Sequence, residues 1–172
     1  MKQYGSSLKG YIKDLAKKTT ACGGGSAASL VFCVGASLIE MAIAFSLNKH
    51  NSKELKGFLK LLRKEKEKVF LYIDLDGDIF SRAMKEKGVL RKKIARDLER
   101  ITFNLGKSCV KVLTELKKIK PFIKKSILSD FDIGLKCIRV SLFASIKNME
   151  ANQKFFSLRS GKKINYLKRF LG

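Results

Sequence analysis

The sequence carries one proline, one histidine and four cysteines in 172 residues. So little proline argues against a loop-rich β-sandwich, in which turn signals recur about every 8–12 residues. Cys22, Cys33, Cys109 and Cys137 lie far apart with no C-x-x-C pair, and His50 stands alone. The clustered Cys/His spacing of a structural zinc site is therefore missing. Isolated thiols of this kind read as small buried hydrophobes, Cys33, Cys109 and Cys137 foremost, in a reducing, cytoplasmic setting. Met1 to Thr20 is amphipathic and lysine-rich, and without a continuous apolar stretch it does not read as a signal peptide. Acids are also scarce: 15 Asp+Glu face 37 Lys+Arg, a net charge of +22. Such a chain invites nucleic acid, anionic lipid or a polyanionic small substrate as partner. Lysine outnumbers arginine 29 to 8, which leaves few of the planar forks that suit phosphate recognition.

What is present reads as helix. Hydrophobic residues make up 45% of the chain, too many for a disordered tail. Leu8, Tyr11, Ile12 and Leu15 predict a short amphipathic helix within Ser6–Lys18. Thr19 to Ser26 breaks it with three successive glycines. From Ser26 to Leu47 Glu40 is the one charged residue. Length and hydropathy would allow a membrane span there, but the many small side chains and the charge predict a central helix enclosed by others. Asn51–Lys87 reads as one long helix and Ile94–Leu116 as a second. Pro121 opens a short helical turn. Ser129-Asp130 offers an N-cap for a helix whose face carries Leu135, Ile138, Leu142, Ile146 and Met149. After Glu150 no acid remains, and Lys154, Arg159, Lys162, Lys163, Lys168 and Arg169 interleave with Phe155, Phe156, Tyr166 and Phe170. Aromatics can stack bases while lysines neutralise phosphates, so a nucleic-acid-associated helical protein is one reading of this segment. The fold expected is all-α, a bundle of five to seven helices around Ser26–Leu47, in one domain spanning 1–172.

Two motif matches are decoys. Gly106-Lys107-Ser108 resembles the end of a phosphate-binding loop, but Ile101 stands where its first glycine belongs. Asp74-Leu75-Asp76-Gly77-Asp78 resembles a calcium loop, but Ile79 and Lys85 occupy its glycine and glutamate positions. The glycine turn carries more. Gly23, Gly24 and Gly25 ahead of a helix let backbone N–H groups approach an anionic ligand, and Ser26 can cap or bind it. Asp76 is the most informative side chain. At 100° per residue it falls about 60° from Ile73, inside the apolar stripe, whereas Asp74 and Asp78 flank it. A carboxylate facing a core must be paired, here by one of the lysines, or have its pKa tuned as an acid–base group. Ser141, Ser145, Asn148 and Asn152 form a polar stripe at steps of 4, 3 and 4, suited to a solvated edge or to a cleft between helices.

Together these segments resemble the cyclodeaminase/cyclohydrolase family of folate enzymes, the C-terminal half of formiminotransferase-cyclodeaminase and the stand-alone methenyltetrahydrofolate cyclohydrolases. Cys22-Gly-Gly-Gly-Ser26 is similar to the family's P-G-G-G-S turn. Ile73-Asp-Leu-Asp76-Gly-Asp-Ile-Phe80 is similar to its V-D-x-D-x-x-A-F block. Ser129-Asp130 followed by Asn148-x-x-x-Asn152 matches its S-D and N-x-x-x-N elements. The resemblance implies a homodimeric helical bundle, outside the membrane, that acts on the carbon bridging N5 and N10 of tetrahydrofolate. It implies Asp76, with Asp74 second, as acid–base residue, and Gly23, Gly24, Gly25, Ser26, Ser129, Asp130, Asn148 and Asn152 as substrate-binding residues. No metal or cofactor is implied, the tetrahydrofolate derivative, polyglutamylated in cells, being the substrate. A basic surface would then guide an acidic tail. The chain departs from the pattern in several places. Cys22 replaces the proline before the glycines, two further prolines are missing, the loop before Ser129 is short, and Glu40 replaces a small residue. A non-catalytic homologue is the third reading.

Overall fold

The computed structural model describes residues 8–18, 20, 22–48 and 52–171. His50 and Asn51, Ser6 at the start of the first expected helix, and Thr19 and Ala21 of the expected turn lie outside the described residues. Among those described there are seven α-helices and no strand: α1 (Leu8–Leu15), α2 (Gly24–Ser46), α3 (Ser52–Phe70), α4 (Tyr72–Lys85), α5 (Gly88–Ile119), α6 (Leu128–Phe156) and α7 (Gly161–Lys168). Two 3₁₀ turns, Lys120–Phe122 and Lys125–Ile127, join α5 to α6. Pro121 sits in the first of them, where its missing N–H leaves no gap.

α2 is the axis of the bundle. It is long and apolar enough to cross a membrane by length and composition, and half of its most apolar stretch is buried among the other helices. Ala28, Phe32, Ala36, Ile39 and Ile43 recur at helical spacing along its inner face, each almost wholly inaccessible. α6 runs antiparallel beside it. The Ser141 hydroxyl donates to Ala28 O at 2.8 Å, and the crossing point is a pair of glycines. A Cβ on Gly35 would lie 2.7 Å from Gly134 O, and one on Gly134 would lie 2.7 Å from Gly35 O. Nothing larger than hydrogen fits on either side, so the backbones meet directly.

α3 and α4 run antiparallel to α2 along another side. Glu40, the one charge in α2, accepts from Arg63 at 2.6 Å and from Lys66 at 2.5 Å. Burial opposes ionisation of Glu40, but these two cations outweigh it and hold its carboxyl below the usual range. The expected single helix over 51–87 is in fact two, separated at Leu71. Leu71 keeps helical dihedrals (φ −62°, ψ −25°) and its carbonyl still accepts from Leu75 N at 3.3 Å, so the chain bends there without reversing. Neither proline nor glycine marks the bend in the sequence. Glu65 pins α3 to α5: its buried carboxylate accepts from Ser108 at 2.8 Å and Lys111 at 2.7 Å. Burial again opposes ionisation, and these hydrogen bonds overcome it.

The Ser129-Asp130 N-cap is not formed. α6 begins one residue earlier, at Leu128, and neither side chain caps it. No disulfide joins the four cysteines, and Cys22, Cys33 and Cys109 are buried. Burial pushes the Cys33 and Cys109 thiols up to about 12, as expected of small hydrophobes. Cys137, expected with them, is only half-buried, its Cβ wedged against the Gly35 crossing. The C-terminal aromatics are packed. Leu167 and Ile164 of α7 are buried, Phe156 joins the core, and Tyr166 meets Phe103 and Phe170 edge-on at 6.2 and 5.5 Å. Lys163 and Lys168 pair with Glu99 and Glu150. A nucleic-acid reading of this segment loses Phe156 to the core and two of its lysines to ion pairs, while Phe155 stays exposed.

Candidate active site

Three glycines bring the N-terminus of α2 into contact with α4 and α6 at once. The helix starts at Gly24 with Gly23 as its cap residue, three positions earlier than a Ser26 cap would place it. Ser26 instead lies wholly buried in the first turn. Its hydroxyl donates to Ile73 O at 2.6 Å. That uses its one hydrogen, so the Tyr11 hydroxyl, 3.1 Å away, is the donor between those two groups.

The cap of α2 comes from α4. The Asp76 carboxylate accepts the Ser26 backbone N–H at 3.1 Å, satisfying one of the orphan donors of the helix N-terminus where the dipole favours negative charge. The fit allows no side chain at Gly25, where a Cβ would stand 2.1 Å from Asp76 Oδ1. Likewise, a Cβ on Gly24 would stand 2.6 Å from Asn148 Oδ1 of α6. Of the two readings of Asp76, a lysine-paired carboxylate and a tuned acid–base group, the first finds no lysine pair among the described residues, and a backbone donor stands in its place. Burial dominates its titration and the Ser26 N–H works in the opposite direction, leaving the carboxyl pushed up to about 6. Such a group exchanges protons near neutrality.

These elements enclose a cleft of about 190 Å³ lined by Thr20, Cys22, the three glycines, Asp76, Gly77, Phe80, Leu98, Asn148 and Asn152. Asn148 Nδ2 is buried and has no acceptor among the described residues, which is costly unless something else fills the cleft. Six of the expected site residues thus converge: Gly23, Gly24, Gly25, Asp76, Asn148 and Asn152. Ser26 supports them from beneath. Asp74 does not line the cleft. It is half-buried on α4, close enough to Tyr11 for its charge to raise the phenol's pKa after burial, Cys22 and Asp76. Ser129 and Asp130 are remote. Nineteen residues separate Ser129 from Asn148 on one straight helix, roughly 28 Å at 1.5 Å per residue, so within one chain they do not join it. The serine–asparagine stripe divides in two. Ser141 and Ser145 are buried and donate to backbone carbonyls, Ser141 across to Ala28 of α2 and Ser145 within α6, while only the asparagines reach the cleft. Phe80 and Leu98 are lining residues that the sequence reading passed over, since each falls on an apolar stripe and looks like core.

The sequence profile of the formiminotransferase-cyclodeaminase family matches residues 7–162. The chain belongs to this family. Among solved structures, the fold is similar to the formiminotetrahydrofolate cyclodeaminase of Thermotoga maritima, with a TM-score of 0.83 at 18% identity over 96% of this chain and 86% of that one. No curated protein matches the sequence significantly. The family's glycine turn and aspartate block are thus the two segments that meet at the Ser26–Asp76 hydrogen bond.

Proposed function

We propose that this protein is a folate one-carbon enzyme that closes N10 of tetrahydrofolate onto the formimino carbon held at N5 and releases ammonia. The observation that carries this reading is the Asp76 carboxyl, held on the Ser26 N–H and pushed up to about 6 by burial, in a cleft that it shares with the glycine backbone, Thr20, Cys22 and two asparagines. Cyclodeamination needs one group that both takes and gives a proton. N10–H attacks the carbon of the N5-formiminium, forming the N10–C bond and a tetrahedral carbon. Ionised Asp76 takes the N10 proton and returns it to the amino nitrogen. The C–N bond then breaks, ammonia leaves with the bonding pair, and the methenyl cation remains beside a carboxylate that stabilises it. Asn148, with its unpaired Nδ2, and Asn152 supply the donor and acceptor pattern that a pterin amide requires. Gly23, Gly24 and Gly25 let the α2 backbone approach it. Asp74 serves as the reserve acid–base candidate. The same carbon can instead take up water, so the methenyl compound is the second substrate to test.

The reading includes a homodimer. α2 has a second apolar stripe, Val31, Val34, Leu38, Met41 and Phe45 at steps of 3, 4, 3 and 4, opposite the core-facing one. Val34 and Phe45 are 49% and 63% exposed, and Phe70, Ile133 and Val140 flank them on α3 and α6. A second copy covers this face, with Ser129 near its edge beside Ile133 and Val140. Four cysteines that no disulfide joins favour a reducing, cytoplasmic location, and the net charge of +22 suits a substrate with a polyglutamate tail. The decisive experiment follows methenyl absorbance with purified protein. It should rise with 5-formiminotetrahydrofolate, together with stoichiometric ammonia. Decay of added methenyltetrahydrofolate without the first activity would assign a cyclohydrolase, and turnover of neither would overturn the proposal.

A further inference from the structure

An arginine and two phenylalanines lie beyond the cleft and a third, Phe80, at its wall, all unused by the chemistry above. Phe80, which lines the cleft, packs against Phe155 at 6.2 Å and Phe156 at 5.9 Å. The Arg91 guanidinium carbon lies 5.1 Å from the Phe155 ring centre and 5.2 Å from that of Phe156. Its position is therefore held by cation–π contact rather than by charge pairing. Among the described residues no carboxylate lies within ion-pairing distance of Arg91. Its polar contact there is one Nη2 to the weakly accepting Met84 sulfur at 3.9 Å. Its Nε–H is buried and unpaired. What sets Arg91 apart is that its guanidinium is stacked on two rings, one of which packs on a cleft residue, while its buried Nε–H has no acceptor among the described residues. Such a guanidinium is a site for an anion.

Its placement indicates which anion. Arg91 precedes Leu98, a cleft residue, by seven positions on α5. That is two turns on nearly the same face and about 10 Å along the axis. In a folate, a benzoyl ring and one amide separate N10 from the first glutamate, roughly 9 Å of bonded atoms. Phe80 in the cleft lining and Phe155, the latter 53% exposed, form a contiguous aromatic shelf from the cleft to Arg91. Resting on the folate reading above, we infer that Arg91 binds a carboxylate of the substrate's first glutamate while Phe80 and Phe155 take the benzoyl ring. Arg91 thereby selects glutamate-bearing folates over truncated ones.

The test uses the stable ligand 5-formyltetrahydrofolate and its analogue ending in an uncharged benzamide, titrated calorimetrically into the full chain. Wild type should bind the glutamate compound at least tenfold more tightly. Arg91→Gln should weaken that compound about tenfold or more and leave the benzamide within twofold. Arg91→Lys, whose stem still covers the rings, should lose several-fold for the glutamate compound alone, and it carries the comparison if the glutamine variant does not fold. Equal weakening of both ligands, or none, in a folded variant overturns the role of Arg91 while leaving the folate reading intact. Failure of wild type to bind either ligand overturns the folate reading, and this inference with it.

Discussion

Asp76 does two jobs with one carboxylate, capping α2 through Ser26 N–H and facing the cleft, and the two are separable by pH. Its pKa rises from 3.8 when free to about 6 in the fold. A carboxyl raised in this way favours the folded state while protonated. The stability it adds is complete below about pH 4 and is lost as the pH climbs through about 6. Asp76→Asn should abolish this slope, so that wild type loses on the order of 2–3 kcal/mol relative to the variant between those limits. Urea denaturation at several pH values measures it. As a proton acceptor the residue must be ionised, so kcat/KM of wild type should rise through about pH 6 to a plateau. In Asp76→Asn the rate should fall by about 10²–10⁴-fold with folate binding retained. Asp78→Asn, on the flank of α4, should change neither property. A folded Asp76→Asn enzyme with the parent rate passes the role to Asp74. Gly25→Ala tests the same contact from the other side. Its methyl group would meet Asp76 Oδ1 at 2.1 Å, so stability should drop by about 1–3 kcal/mol and turnover should drop with it. Unchanged melting and turnover would mean that the cap is not needed.

At the scale of elements, glycine has opposite meanings in different helices. Gly35 stands against the Gly134 carbonyl and Cys137, and backbone atoms cannot step aside for a methyl group. Gly35→Ala should cost about 1–3 kcal/mol by prising α2 from α6. Gly57 is exposed on α3 with nothing within 4 Å of an added Cβ. There alanine should stabilise, by up to about 1 kcal/mol, because it raises helix propensity without a clash. Thermal melts of the two variants should move in opposite directions. The α3–α4 bend belongs to this scale too. The apolar positions 69, 73 and 80 keep helical spacing across it, so periodicity sees one helix. The bend becomes visible only once α3 is pinned to α5 by Glu65 and α4 to the α2 N-terminus by Asp76.

For the molecule as a whole, the outer stripe of α2 sets the expectation of a dimer. Sedimentation at micromolar concentration should give twice the 19.4 kDa chain mass. Val34→Glu combined with Phe45→Glu should halve it without unfolding the bundle, since both side chains are exposed. A wild-type monomer would refute the pairing. The C-terminal segment taught the reverse lesson about surfaces. Read alone, its lysines and aromatics suit nucleic acid. In the fold, Phe156, Ile164 and Leu167 are core, and two of the lysines are paired with Glu99 and Glu150.

The amino-acid sequence by itself determined that the chain is helical, that α2 is central, and that Asp76 cannot be an ordinary surface carboxylate. Each of these follows from periodicity and the cost of burying charge, which are local properties read one helix at a time. It also placed the asparagines of α6 on one line. The tertiary structure decided that Asp76 meets a helix N-terminus rather than a lysine, because the approach depends on Gly25, about 50 residues away in the chain. It decided that Ser141 and Ser145 serve packing while Asn148 and Asn152 serve the cleft, because a stripe longer than the cleft must pass through the core first. It separated Ser129 and Asp130 from both asparagines, because a straight helix converts sequence distance into length. It also lifted Phe80 and Arg91 out of the anonymity of an apolar stripe and a basic surface, because what a side chain faces is set by its neighbours and not by its spacing.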